Sequence, residues 1–304
     1  MKQHTLRRAV GGVLTSLTGF AALLIVAMLA IILFDVVRGG IGHVSWTFLT
    51  QPPSEGMMAG GIFPALYGTA ALTLLMTLAV MPVGVLTAVY LHEYAPAGSR
   101  LAAAVRIAVA NLAGVPSIVF GLFGLGFFIH FIGGSMDRLL GYQELNWGQP
   151  GILWASLTLA VLTLPVVIVS TEEALRAVPM DHRTASLALG ATKSQTLARV
   201  VLPGALPGIL TGTVLAVSRG AGEVAPILFT GAAYFLPDLP DKLNSQFMHL
   251  GYHTYVLATQ SPDVEATRPL LYATVLVLLA LTFVLNLVAV LIRARTRRRA
   301  SAAH

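Results

Sequence analysis

The 304-residue chain is 56% hydrophobic and only 11% charged, with a mean hydropathy of +0.79. A soluble domain carries about a quarter charged residues, so this supply excludes a surface that faces water all round and makes lipid the solvent for much of the chain. The absence of cysteine excludes disulfides, thiolate metal ligands and a cysteine nucleophile, while the net charge of +6 keeps nucleic acid open until the basic residues are located.

The first apolar run, near 14–37, follows Lys2, Arg7 and Arg8. It is too long for a signal peptide and no small-x-small cleavage site follows it, so a retained anchor is expected. The second run, near 64–91, lies in the charge-free interval between Glu55 and Glu93, and the third, near 107–132, between Arg106 and Asp137. Within the third, Gly114-Val115-Pro116 predicts a kink or hinge, and Gly121, Gly124 and Gly126 predict close helix packing. The fourth, near 151–171, falls between Glu144 and Glu172, and the sixth, near 269–292, between Arg268 and Arg293. The fifth, near 208–230, is apolar except for Arg219 and Glu223. Each is about as long as the ~20 residues a helix needs to cross a bilayer, or longer. None alternates as barrel strands do, and lipid cannot satisfy open backbone. The expected fold is all-α: one polytopic domain over 1–304 with six transmembrane helices.

Of the 19 Lys and Arg residues, 14 fall at the amino terminus, the loops after spans two and four, and the carboxyl tail. The positive-inside rule therefore puts both termini in the cytoplasm. The opposite loops, 38–63, 133–150 and 231–268, carry Trp46, Trp147, Tyr252 and Tyr255, which suit either a soluble partner or the lipid headgroups. No aromatic or groove-reading motif accompanies the basic tail, so its expected partner is membrane lipid and not nucleic acid. His43, His130, His249 and His253 are too scattered for a metal site.

The inward loop 172–207 carries the densest local signals. Ser170-x-x-Glu173 and Thr192-x-x-Gln195 both fit capping boxes, Asp181 can cap a helix start, and Gly190 stands between two apolar patterns where a left-handed residue is wanted. These predict a helix–turn–helix that either enters a groove on a soluble partner or rests on lipid. Lys193-Ser194 follows Thr192 instead of glycine, so it is not a P-loop, and energy has to come from a partner subunit or an ion gradient. In span five, Arg219 and Glu223 stand four apart on one helical face. A charge at mid-bilayer costs at least ~2.5 kcal/mol. The pair either neutralises itself structurally or lines a hydrated path, Arg219 offering its planar fork to an oxyanion and Glu223 orienting it.

The loop resembles the EAA loop of binding-protein-dependent ABC-importer permeases of the MetI-like kind. Thr184-Ala185-Ser186, three residues, Gly190, nine residues and Val200-Val201-Leu202-Pro203 follow its spacing, with Thr184 in place of the usual glutamate and Ser186 in place of the second alanine. Residues 60–95, 112–128 and 187–231 further resemble the PstA family of phosphate-importer permeases. The resemblance implies a six-span half-transporter in the bacterial inner membrane whose coupling helix docks into an ATPase subunit. It implies a PstC-like second permease, a PstB-like ATPase dimer and a PstS-like phosphate-binding protein. ATP and Mg2+ would sit on the ATPase, with no cofactor bound by this chain and no chemistry of its own. It also matches Arg219 and Glu223 to transport-pathway residues. A permease for sulfate or molybdate, or an ion-coupled carrier using Glu223 as a proton relay, remains the alternative.

Overall fold

The computed structural model describes residues 2–54, 57 and 59–302, without the side chains of 2–10, 292 and 296–302. The anchoring charges expected at Lys2, Arg7, Arg8, Arg297, Arg298 and Arg299 therefore lie outside the described residues, as does Glu55. Twelve α-helices carry the described fold: α1 Lys2–Gly40, α2 Trp46–Thr50, α3 Phe63–Val89, α4 Arg100–Leu112, α5 Ser117–Phe123, α6 Gly134–Leu140, α7 Ile152–Arg176, α8 Met180–Ala188, α9 Lys193–Thr196, α10 Leu202–Gly222, α11 Leu250–Thr259 and α12 Val264–Ala302. Wider π-helical turns at Tyr90–Tyr94, Gly124–Gly133 and Leu197–Val201 extend α3, join α5 to α6 and join α9 to α10. A short hairpin pairs Pro53 with Gly60 and Ser54 with Ala59.

Six of the resulting helices are long and apolar enough to cross a membrane: Gly11–His43, Phe63–Tyr94, Ser117–Leu140, Ile152–Arg176, Lys193–Gly222 and Val264–Arg295. Several hydroxyls inside them are satisfied locally, although Thr171 Oγ1, buried in α7, has no hydrogen-bond partner. Thr69, Thr73, Thr77, Thr158 and Thr163 each donate to the carbonyl four residues back, so their polarity costs little in an apolar surrounding.

Span edges three and five depart from the pattern of charge-free runs. Residues 107–112 belong to α4, a separate helix, and span three begins only at Ser117. Pro116 (φ −58°, ψ 138°) supplies no amide and disfavours the helical conformation in the residue before it, so the expected kink is a complete break. Span five begins at Lys193 and ends at Gly222; Glu223 (φ −75°, ψ 130°) is already extended, and 223–230 are not helical. Two expected caps are also absent. Ser170 lies inside α7 and donates to the carbonyls of Val166 and Val167 at 2.7 and 3.1 Å, and Pro179, not Asp181, precedes α8.

Spans two, four and five form the centre, with α12 packed on α10 and α11. Leu72, Met76 and Val80 of α3 meet Leu159 and Val167 of α7 and Ala216 of α10; Ile227 and Phe247 close the same cluster. Glycine allows the helices this close. A Cβ on Gly212 would lie 1.8 Å from Ser170 Oγ, and one on Gly68 would lie 2.1 Å from the Met248 carbonyl. Gly212→Val is therefore expected to push α10 off α7 at about 1–3 kcal/mol, seen as a lower melting temperature in detergent. An unchanged melting temperature would show that the contact is not needed.

Span one packs differently. The apolar stretch of this helix is exposed throughout, and its docking is at the carboxyl end, where Gly39 and Gly40 lie on Tyr272 of α12 and the Tyr272 hydroxyl donates to Asp35 Oδ2 at 2.9 Å. At the same end of the bundle, buried Asp137 holds a loop that composition left shapeless. Its carboxylate accepts from the backbone amides of Asn146, Trp147 and Gly148 at 3.0, 2.8 and 2.7 Å, and Trp154 Nε1 donates to the Trp147 carbonyl at 2.8 Å.

Candidate functional site

Two regions gather the residues singled out by sequence. The first is the end of α10. Gly220 packs on Met76 and Thr163, which lie mid-way along α3 and α7, whereas Gly231 packs on Gly151 at the start of α7. Span five is thus helical through one half of the bundle and irregular through the other. Its irregular half is covered by protein, as such backbone must be at this depth. Turn bonds from Ile227, Thr230 and Ala232 use up local carbonyls, and Gly151 and Phe247 donate to Thr230 and Gly231.

Arg219 occupies the last turn of α10, and Glu223 caps it. The sequence placed them on one helical face, four apart; the break moves Glu223 off the helix, yet Arg219 Nε still lies 3.4 Å from Glu223 Oε1. The guanidinium sits beside the negative end of the helix dipole. It is also the more open partner, 44% exposed against 21% for the carboxylate. One residue back, Ser218 Oγ donates to Asn286 Oδ1 of α12 at 2.5 Å, a polar link between spans five and six that the apolar pattern of span six concealed. The Asn inside that run was its one visible signal.

The second region is the loop between α7 and α10. Gly190 adopts φ +85°, a conformation that costs other residues about 1–2 kcal/mol. Thr192 and Gln195 form the full reciprocal capping box. The helix–turn–helix is present, but its second helix is the first turns of span five and not a separate rod. Thr184 Oγ1 donates to the Met180 and Asp181 carbonyls, and Thr184, Ala185, Gly190 and Pro203 are exposed. Ser186, Val200 and Leu202 are half-buried, and Ser186 Oγ lies 2.9 Å from Thr196 Oγ1, tying α8 to α9. Outward from α8 stand three large apolar side chains, Met180, Leu187 and Leu189, the last 90% exposed.

Sequence reasoning missed the ionic contacts beneath this loop. Arg183 pairs with Glu93 at the end of span two, Lys193 Nζ donates to the Glu93 carbonyl, and Arg106 pairs with Glu172 at 3.0 Å. Glu93 and Glu172 close charge-free runs and Arg106 opens one, whereas Arg183 and Lys193 lie among the charges of the loop with no mark of their own. Among the described residues no three His, Asp or Glu side chains gather as a metal site. His249 and His253 are buried, and burial pushes both down to about 4, so both are neutral at pH 7.

Residues 80–298 match the family described as binding-protein-dependent transport system inner membrane component. The probable ABC transporter permease protein YqgI of Bacillus subtilis is 35% identical over 216 residues, covering 71% of this chain and 68% of its own. The phosphate transport system permease protein PstA 1 of Mycobacterium tuberculosis is 34% identical over 267 residues, covering 88% and 79%. That of Xylella fastidiosa, PstA, is 33% identical over 237 residues, covering 75% and 76%. Among solved structures, a bacterial alginate ABC transporter superposes with a TM-score of 0.60 at 16% identity over 86% of each chain. The MetNI methionine ABC transporter, in an inward-facing conformation, gives 0.55 at 19% identity over 76% of this chain and 94% of its own. At these identities the two structures speak for the fold alone.

Proposed function

The chain belongs to the family of binding-protein-dependent transport system inner membrane components, a transport subunit and not an enzyme, and on that premise we propose that it is half of the translocation pathway of an ATP-driven phosphate importer. The substrate assignment rests on the phosphate permeases among its relatives. One observation carries the pathway. A charged pair stands half-way through the bundle on a face this chain leaves open, with Arg219 44% exposed. Left against lipid, such a charge costs at least ~2.5 kcal/mol. A second permease subunit, PstC-like, therefore covers that face and encloses a hydrated path.

Within that path the guanidinium fork receives the tetrahedral oxyanion. Glu223 and the carbonyl end of α10 compete for the same guanidinium, so the anion is held weakly enough to leave. The basic loops face the cytoplasm, by the distribution of Lys and Arg. The loop residues Thr184, Ala185, Ser186, Gly190, Val200, Leu202 and Pro203 then form the contact with a PstB-like ATPase dimer, which holds ATP and Mg2+. The opposite loops receive a PstS-like binding protein. One arginine reads the charge and shape of an oxyanion but not its central atom, so rejection of sulfate and molybdate falls to that soluble partner.

The test is purification of the tagged chain, co-expressed with its neighbours, in mild detergent. An ATPase and a second permease are expected to co-purify, and the complex in liposomes is expected to take up labelled phosphate against excess sulfate or molybdate. Equal competition by sulfate would overturn the substrate; uptake without any ATPase would overturn the class.

A further inference from the structure

Glu93 lies in the π-helical last turn of span two, Tyr90–Tyr94, a helix form that concentrates at functional positions. Its carboxylate pairs with Arg183 Nη1 of α8, and each side chain is only 12% exposed. The second arm of the same guanidinium donates to the Leu175 carbonyl at the end of span four, at 2.6 Å. From the other side of the turn, Lys193 donates to the Glu93 carbonyl and stands 4.9 Å from the centre of the Tyr94 ring. His92 Nε2 lies 3.9 Å from the same carboxylate.

The connectivity makes this arrangement more than an anchor. α8 is joined by short covalent linkers to span four before it and to span five after it. Span two is 90 residues away in sequence from Arg183 and 100 from Lys193. Of the described contacts of Glu93, these two reach it from the loop. Span two in turn runs past the other region, because Met76 packs on Gly220, one residue from Arg219. A buried ion pair is a poor device for stability alone, since a well-packed apolar pair does as well, and its better-attested use is to fix one arrangement of the parts.

We propose that Glu93 is a positioning residue of the transport cycle: with Arg183 and Lys193 it latches the loop helix α8 to span two, so that displacement of α8 by an ATPase moves span two against the Arg219 end of α10. The proposal rests on the importer reading and adds to it the route by which span two is driven.

The experiment compares complexes of the full chain with its partners in liposomes, reading the number of anions carried per ATP hydrolysed. Glu93→Gln and Arg183→Gln are expected to lower that ratio about five-fold or more, the smaller end of ordinary coupling energies, while ATP hydrolysis continues. The exchanged pair, Glu93→Arg with Arg183→Glu, is expected to recover most of the ratio. Glu93→Asp, which keeps the charge on a shorter stem and serves if the exchanged pair does not assemble, is expected between wild type and Glu93→Gln. Single variants with the wild-type ratio, or an exchanged pair that assembles yet is as impaired as either single change, would overturn the latch. The ratio is taken with whichever anion the wild-type complex carries, so a wrong substrate shows in the wild type and a wrong latch only in the variants.

Discussion

Arg219→Gln is expected to abolish phosphate uptake while the subunits still assemble. Glutamine is shorter; it keeps two amide hydrogens but loses the charge and the fork. Losing one side of a desolvated charge-assisted contact costs about 2–5 kcal/mol, so uptake should fall ~30-fold or more. Arg219→Lys keeps a point charge without the planar pair of donors and should lie between the two. Glu223→Gln separates the two roles of the pair. If Glu223 competes with the anion for Arg219, its neutral variant holds phosphate more tightly and releases it more slowly, lowering KM and the maximal rate together. If the pair is merely structural, both variants lose assembly and uptake in parallel. Labelled uptake in liposomes, with recovery of the purified complex as the control, decides between them. Normal uptake by Arg219→Gln in an assembled complex would remove the arginine from the pathway.

What the sequence made legible follows the range of the forces involved. Charge-free runs located the spans, because exclusion of charge from lipid acts on each residue separately. The loop was readable for a similar reason: Gly190 at φ +85° and the Thr192–Gln195 box are settled within a few residues. The failures lie where a distant partner decides. Residues 107–112 are apolar enough to extend span three, yet the break at Pro116 detaches them into α4. The stretch 223–230 reads as helix, but its irregular backbone is held by local turn bonds and by the Gly151 amide at the start of span four, which donates to the Thr230 carbonyl, while Phe247 donates to Gly231 just beyond. Ser170 and Glu173 have capping chemistry, but α7 runs straight through them. The Glu93–Arg183 contact had no local signature at all. Glu93 looked like an ordinary charge at the edge of a span, and Arg183 like one of several charges in the loop.

Leu189→Asp should disconnect the ATPase without unfolding the permease. Leu189 caps the carboxyl end of α8, next to the turn at Gly190, and is 90% exposed. With so few contacts to this chain its replacement should change stability by no more than ~0.5 kcal/mol. Together with Met180 and Leu187 it gives the nine-residue helix exposed apolar side chains along its length, while Arg183 and Ser186 tie the helix to the rest of the chain. Seated in a groove of the ATPase, an aspartate there would be a buried unpaired carboxylate. At the centre of an interface a change of that kind costs about 2 kcal/mol or more, enough to weaken association ~30-fold. Leu189→Ala removes only the apolar contact and leaves no buried charge, so it should weaken association less than the aspartate does. The same pair of variants tests whether α8 merely rests on lipid: there, aspartate would loosen the loop from the membrane and leave ATPase recovery untouched. Thr184→Glu, which puts back the family's usual acid on the exposed side of α8, completes the comparison. Retained or stronger association in that variant, beside loss in Leu189→Asp and an unchanged melting temperature in both, would fix the loop as the ATPase contact; equal recovery of ATPase across all three would not be compatible with it.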